Sequence, residues 1–84
     1  MSKADEMFEK LGYENIRNKV GNTFTAIYAK GDKRIAFYTD KTIECYDYYY
    51  GSDYISMQEL HAINLKSKEL GWIEEWFNWI KKLE

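Results

Sequence analysis

The sequence predicts an α+β domain with a short N-terminal helix, a three- to four-stranded antiparallel meander, and two C-terminal helices packed on one sheet face. Three observations support this prediction. Apolar residues recur at helical spacing near both ends of the chain, whereas the middle changes to a period of two, which is typical of strands. Glycine-containing turn signals separate these segments. Because the chain has 84 residues and no proline, we expect a single compact domain over residues 1–84.

The first helix is predicted within residues 2–13. Ser2 and Asp5 have the spacing of a capping pair, in which a side chain accepts a backbone N–H of the first turn. The apolar face consists of Ala4, Met7, Phe8 and Leu11. Gly12 is placed to end the helix. Residues 13–20 fit either a short first strand or an irregular connection, and both alternatives stay open.

Three strands are predicted in the middle of the chain, over residues 23–30, 33–40 and 41–50. Gly31-Asp32 is a favoured two-residue hairpin turn, and Asp40-Lys41 is a weaker turn before the third strand. If both loops have two residues, Ile27, Ala36 and Cys45 align on one face. Tyr28, Ile35 and Tyr46 then align on the other. A slip of one residue in the second turn would exchange the faces of the third strand.

Two helices are predicted after the strands. Ser56 and Glu59 have capping-box spacing, Gly71 is a stop signal, and the expected buried stripe is Leu60, Ile63, Ser67 and Leu70. In the last helix, Trp72, Trp76 and Trp79 share one face. We expect the rest of the fold to cover this face. A small structural homodimer closed through these tryptophans is the alternative, and the oligomeric state stays open.

The segment 46–54 contains five of the eight tyrosines of the chain. In an extended strand, alternate side chains point to the same side. Both faces of the sheet carry apolar residues, so we expect helices on one face and an open, tyrosine-lined surface on the other. Because tyrosine is enriched at interface hot spots, this face is the predicted partner-binding surface, with the anchors Tyr28, Phe37, Tyr46, Tyr48 and Tyr50. Ordinary strand packing is the alternative, since strands favour tyrosine.

Single-stranded nucleic acid is a second candidate ligand for the same face, because bases stack on aromatic side chains. Lys30, Lys33 and Arg34 lie near one end of the predicted sheet, where they could contact phosphates. Acidic side chains surround the same region and oppose phosphate binding: Asp40, Glu44, Asp47 and Asp53. We therefore rank a protein partner above nucleic acid.

The sequence offers little support for enzymatic chemistry. His61 is the only histidine, Cys45 is the only cysteine, and no glycine-rich phosphate loop occurs. We expect a non-enzymatic protein with no catalytic residue, no metal and no cofactor. Because the single cysteine cannot form an internal disulfide and no signal peptide is recognised, we expect a cytoplasmic protein. The net charge of −2 and the lack of an apolar run long enough for a bilayer argue against a membrane partner.

Two segments carry a resemblance to a known group of proteins. The segments MFEKLGYE (7–14) and ISMQELHAINLKSKELGW (55–72) resemble parts of small accessory proteins of phages and prophages of low-GC Gram-positive bacteria. The similar positions are caps, core residues and a stop glycine, so the resemblance transfers no catalytic residue. It implies a protein that binds a host or phage macromolecule, including as an inhibitor of a host protein.

Overall fold

The computed structural model describes residues 2–16 and 24–73. The elements in these ranges are α1 (Lys3–Lys10), β1 (Glu14–Asn15), β2 (Phe24–Lys30), β3 (Lys33–Tyr38), β4 (Ile43–Asp47), β5 (Gly51–Ser52) and α2 (Met57–Glu69). All neighbouring strands are antiparallel, in the order β1-β2-β3-β4-β5. The predicted α+β class and meander are therefore confirmed. The described sheet has five strands instead of three or four, because the two-residue strands β1 and β5 lie at its edges.

Helix α1 forms where the capping pair and the apolar spacing predict it. The Ser2 hydroxyl accepts the N–H of Asp5 at 3.0 Å, which satisfies one donor of the first turn. Ala4 and Phe8, one turn apart, are fully buried. The helix therefore turns a narrow apolar stripe inward.

The core lies between one face of the sheet and the two helices. The sheet contributes Ala26, Tyr28, Ile35 and Phe37. Phe8 of α1 stacks on Tyr28 with 3.8 Å between ring centroids, and Phe37 contacts both rings edge to face. From α2 come Ala62 and Ile63. Since each aromatic side chain buries about 150–250 Å², the three rings supply a large share of the apolar area removed from water.

The loop between β3 and β4 has three residues, not the predicted two. Tyr38 donates its N–H to the carbonyl of Thr42 at 2.9 Å, which closes the loop 39–41. Lys41 takes a left-handed conformation, with φ of 69°, as the last residue of many three-residue hairpin loops does. Asp40 stabilises this turn because its carboxylate accepts the N–H of Thr42 at 3.0 Å.

The extra loop residue shifts the pairing of β4 by one position. Cys45 pairs with Ile35, on the face covered by the helices, and Glu44 pairs with Ala36. The predicted alignment of Ala36 with Cys45 is therefore wrong. Tyr46 changes face with the shift and lies on the side away from the core.

Helix α2 begins with the predicted capping box. The Ser56 hydroxyl accepts the N–H of Glu59 at 3.1 Å, and the Glu59 carboxylate accepts the N–H of Ser56 at 2.7 Å. The buried residues are Glu59, Ala62, Ile63 and Ser67. The predicted stripe is partly wrong, since Leu60 is exposed and Leu70 is only partly buried. The helix is rotated so that the charged Glu59 points inward.

Several predictions fall outside the described ranges. Trp76 and Trp79 belong to residues 74–84, together with most of the predicted last helix and its dimer interface, and residues 17–20 of the undecided segment are also outside. Trp72 is described and half-buried, and its ring centroid lies 6.1 Å from that of Phe37. This tryptophan therefore packs against the edge of the core.

Candidate protein-interaction surface

Three consecutive tyrosines form the turn between β4 and β5. Strand β4 ends at Asp47, whose Oδ1 accepts the N–H groups of Tyr49 at 2.8 Å and of Tyr50 at 3.2 Å. This aspartate turn reverses the chain. Gly51 then starts β5 with φ of 87°, which residues with a Cβ rarely adopt. The predicted strand 41–50 is therefore too long, and consecutive tyrosines stand on a turn instead of alternating along a strand.

Main-chain hydrogen bonds attach the turn to the sheet on both sides. The N–H of Tyr48 donates to the carbonyl of Asp32, in the β2–β3 turn, at 2.7 Å. The N–H of Asp53 donates to the carbonyl of Cys45 at 3.2 Å. Because the backbone makes these bonds, they fix the turn without covering the tyrosine rings.

Tyr54 follows β5, and a lysine holds its carbonyl group. Lys33 Nζ donates to the carbonyl oxygen of Tyr54 at 2.6 Å and lies 3.0 Å from Glu59 Oε2. Lys33 is also the strand partner of Asp47 at the base of the turn. One residue thus connects the turn with the segment that enters α2. We name Tyr48, Tyr49, Tyr50 and Tyr54 the tyrosine surface.

The side chains of the tyrosine surface are largely exposed, at 68% for Tyr48, 71% for Tyr49, 88% for Tyr50 and 90% for Tyr54. Ile55 and Met57, close to Tyr54 in the chain, are exposed as well. Together the four tyrosines expose on the order of 600 Å², taking ~200 Å² for each side chain and multiplying by its exposed fraction. For comparison, the largest contiguous patch on a typical monomer covers about 300–600 Å², and such patches are often functional.

The buried carboxylate of Glu59 is connected to the tyrosine surface through Lys33. Glu59 accepts hydrogen bonds from the Tyr13 hydroxyl, from Lys33 Nζ at 3.1 Å and from the N–H of Ser56 at 2.7 Å. Burial on its own would raise the pKa of Glu59, but these hydrogen bonds outweigh burial and lower the pKa to about 2. Burial would lower the pKa of Lys33, but Glu59 raises it. The pair is therefore ionised at neutral pH and ties β3 to α2.

Two of the five predicted anchors belong to the core. Tyr28 and Phe37 are fully buried, because the helices cover the face that carries them. The Tyr28 hydroxyl donates to the Asp5 carboxylate of α1. The pKa of Tyr28 is raised, mainly by burial and secondly by this hydrogen bond. Their predicted position on an open face is wrong.

The third anchor, Tyr46, lies on the second face of the sheet, which is the face away from the core. There it pairs with Arg34 and is half-buried. Ile27 and Ala36 on this face are also buried. Among the residues that the structure describes, the predicted open, aromatic sheet face is therefore not formed. The remaining two anchors, Tyr48 and Tyr50, are brought together on the turn.

The three cations predicted to contact phosphates do not form one patch. Lys33 is engaged in the ion pair on the side covered by the helices. Arg34 lies on the second face, since adjacent strand residues point to opposite sides, and its Nη1 donates to the carbonyls of Gly31 and Lys33. The ammonium of Lys30 lies 5.8 Å from the centroid of the Tyr13 ring. Each cation thus has a different surrounding.

An open groove of about 460 Å³ lies where α1 meets the sheet, lined by Asp5, Glu9, Tyr13, Glu14, Asn15 and Tyr28. The Asp5 carboxylate in this groove accepts the Tyr28 hydroxyl and lies 3.9 Å from Lys66 Nζ of α2. The backbone N–H of Ala4 in α1 donates to the carboxylate of Glu69 in α2 at 3.1 Å. These polar groups therefore hold α1 against the sheet and α2.

Chemically reactive side chains are few in residues 2–16 and 24–73, which contain one cysteine and one histidine. Cys45 is half-buried, and burial raises the pKa of its thiol, which makes it a weak nucleophile. Within residues 2–16 and 24–73, no three His, Cys, Asp or Glu side chains are arranged to hold a metal ion. In the same ranges, no helix combines the length and the hydropathy that a bilayer crossing needs.

The sequence prediction missed Tyr49 and Tyr54. An available signal was the position of the tyrosines between Asp47 and Gly51, since aspartate before and glycine after a short segment are typical of a turn. A turn exposes consecutive side chains, whereas a strand alternates them between faces. The tyrosine surface is the clearest candidate site in the described part of the chain.

Comparisons of the whole chain with protein-family models, with curated proteins and with solved structures find no match.

Proposed function

We propose that this chain is a non-enzymatic protein-interaction module that binds a partner protein through the tyrosine surface. The observation that carries the proposal is the exposure of four tyrosine side chains on a hydrogen-bonded hairpin and the segment after it. Leaving apolar area in water forgoes about 25 cal/mol per Å², so the fold gains little from these rings in the unbound chain. A partner that covers them would recover this free energy.

The backbone under the tyrosines favours tight binding. Asp47 and Lys33 hold the chain on both sides of the turn, at the N–H groups of Tyr49 and Tyr50 and at the carbonyl of Tyr54. A surface that is ordered before binding loses less conformational entropy on association. Tyrosine also gives a large contact area with only two side-chain torsions to fix. Both properties are typical of hot-spot residues.

The resemblance of residues 7–14 and 55–72 to small phage and prophage proteins supports a phage origin for this chain. In this setting the chain is an accessory protein of phage origin that acts in the host cytoplasm. Its partner is a host or phage protein, and blocking a host protein is the simplest activity for a module without catalytic groups.

The test is a capture experiment with a variant of the tyrosine surface. Tagged wild-type protein and the triple variant Tyr48→Ser, Tyr50→Ser, Tyr54→Ser are incubated with nuclease-treated lysate of a Gram-positive host. We expect the wild type to retain one protein in stoichiometric amount, identified by mass spectrometry. The triple variant should retain at least about tenfold less, since a hot-spot residue contributes roughly 2 kcal/mol or more.

The control variant is Ile16→Ser, Ile43→Ser, which changes two side chains that are both 37% exposed and lie outside the tyrosine surface. It should capture the partner as the wild type does, and circular dichroism should show that both variants are folded. Equal capture by the triple variant would contradict the proposed surface. Capture from untreated lysate that is lost from nuclease-treated lysate would instead favour nucleic acid as the ligand.

A further inference from the structure

The tyrosine surface lies in a stretch of chain that carries only negative charges. Residues 42–65 contain no lysine or arginine, but they contain Glu44, Asp47, Asp53 and Glu59. The chain as a whole is nearly balanced, with 12 basic and 14 acidic residues. The charge is therefore unevenly distributed, and the acidic part coincides with the exposed aromatic part.

Three-dimensional neighbours reduce this charge only in part. Lys33 neutralises the buried Glu59. Asp47 and Asp53 flank the tyrosine turn. The main-chain carbonyl of Asp32 accepts the N–H of Tyr48, which places Asp32 beside the turn. Against these three exposed or half-exposed carboxylates stands Arg34, whose guanidinium lies near Tyr48. Lys30, in the neighbouring β2–β3 hairpin, directs its ammonium toward the Tyr13 ring. By this count of formal charges, the surroundings of the tyrosines are negative.

One contact within the chain shows how a cation can approach this surface. Cζ of Arg34 lies 6.0 Å from the centroid of the Tyr48 ring, which is within the range of a cation–π interaction. The Tyr48 side chain is still 68% exposed, and the other three tyrosines are more exposed. A second guanidinium therefore has access to rings of the same kind in the same negative field.

We propose that the tyrosine surface recognises an arginine-rich segment of its partner protein, an inference that rests on the protein-binding function proposed above. Arginine fits both features, since its planar guanidinium stacks on aromatic rings and pairs with carboxylates through several N–H donors. Lysine offers the charge with a more strongly hydrated, non-planar head group, so it should bind less tightly. Phosphate-rich ligands meet Asp32, Asp47 and Asp53, which repel them.

The test uses three synthetic peptides, each with four repeats of Arg-Gly, Lys-Gly or Glu-Gly, with capped ends and a fluorescent label. Binding to the full chain is measured by fluorescence anisotropy at 50 and 300 mM NaCl, and two-dimensional ¹H–¹⁵N NMR locates the contacts. We expect the arginine peptide to bind at least about threefold more tightly than the lysine peptide and to shift the amide signals of residues 47–54. Binding should weaken at the higher salt concentration, and the glutamate peptide should not bind.

Two kinds of variant separate the contribution of the rings from that of the charges. Removing each ring in the series Tyr48→Ser, Tyr50→Ser, Tyr54→Ser should weaken arginine-peptide binding about twofold to fivefold, the size of an exposed cation–π contact. Asp32→Asn, Asp47→Asn, Asp53→Asn keeps the side-chain oxygens that accept backbone N–H groups but removes the charge. This variant should stay folded, bind the peptide more weakly and lose most of the salt dependence.

The proposed function and this inference can fail separately. Equal binding of the three peptides, binding outside residues 47–54, or no binding of the arginine peptide at millimolar concentration would overturn the arginine inference. The function would still hold if partner capture from lysate depended on the tyrosines and not on the three aspartates. If capture did not depend on the tyrosines at all, the proposed function itself would be wrong.

Discussion

At the scale of single residues, Glu59 joins two tasks that are usually separate. Its carboxylate closes the capping box with Ser56 and also accepts hydrogen bonds from Tyr13 and Lys33. Because Lys33 in turn holds the carbonyl of Tyr54, the start of α2 and the end of the tyrosine surface share one set of bonds. The S-x-x-E spacing predicts the cap, but it cannot predict the burial, since Tyr13 and Lys33 are distant in the chain.

The lowered pKa of Glu59 predicts a specific acid sensitivity. The carboxyl pKa is about 2 in the folded chain and about 4.3 in the unfolded chain, so the unfolded chain takes up the proton first as pH falls. The stabilisation is therefore complete above about pH 5 and is lost progressively toward pH 2. We expect Glu59→Gln to lower the free energy of unfolding at pH 7 by about 1–3 kcal/mol, because it weakens charge-assisted hydrogen bonds.

Urea unfolding at pH 7, pH 4 and pH 2.5 measures this effect. The Glu59→Gln variant should differ from the wild type most at pH 7 and least at pH 2.5. The matched control is Glu6→Gln on the exposed side of α1, which should stay within about 0.5 kcal/mol of the wild type. A constant difference between Glu59→Gln and the wild type at all three pH values would contradict the assignment.

At the scale of elements, loop length decides which side chains reach the surface. The sequence predicts the strands 23–30 and 33–40 well, because Gly31-Asp32 is a strong two-residue turn and the observed pairing of Lys30 with Lys33 agrees with it. It does not predict the third strand correctly. The loop 39–41 has three residues because Lys41 adopts a conformation that glycine would signal but lysine does not. One loop residue was enough to reverse the faces of β4.

The β4–β5 turn depends on Gly51, and this gives a prediction for its replacement. A Cβ at this position meets no atom within 4 Å, so the penalty of Gly51→Ala comes from the backbone conformation alone. We expect Gly51→Ala to lower the free energy of unfolding by about 1–2 kcal/mol, the usual cost of a left-handed residue. Gly51→Asn should lower it less, since asparagine tolerates this conformation better. Urea unfolding compares the two, and equal stability of both variants and the wild type would show that the turn relaxes.

At the scale of the whole molecule, the sheet, α1 and α2 share one core. Phe8 stacks on Tyr28, and further bonds join α1 to α2 through Ala4 and Glu69. The sequence predicts the fold class, both described helices and the strands 23–30 and 33–40, since periodicity and capping are local signals. It does not predict which sheet face the helices cover, and this choice placed Tyr28 and Phe37 in the core instead of on a binding face.

The shared core predicts that loss of one ring destabilises the entire described fold. Phe8→Ala should cost about 3–5 kcal/mol. A chain of this length is expected to have roughly 4–13 kcal/mol in total. Thermal unfolding followed by circular dichroism and by tryptophan fluorescence should shift to lower temperature by the same amount with both probes. Tyr50→Ala, which removes an exposed ring, should leave the midpoint almost unchanged, and separate shifts of the two probes would argue against a single cooperative unit.

The tyrosine turn has a consequence for how this protein can diverge. Its position is set by the backbone, by Asp47 and by Gly51, while its exposed side chains contribute little to the core. Substitutions at Tyr48, Tyr49 and Tyr50 can therefore accumulate without unfolding the chain. The backbone of the turn and the chemistry of its exposed side chains are thus specified by different residues, so one can change while the other is kept.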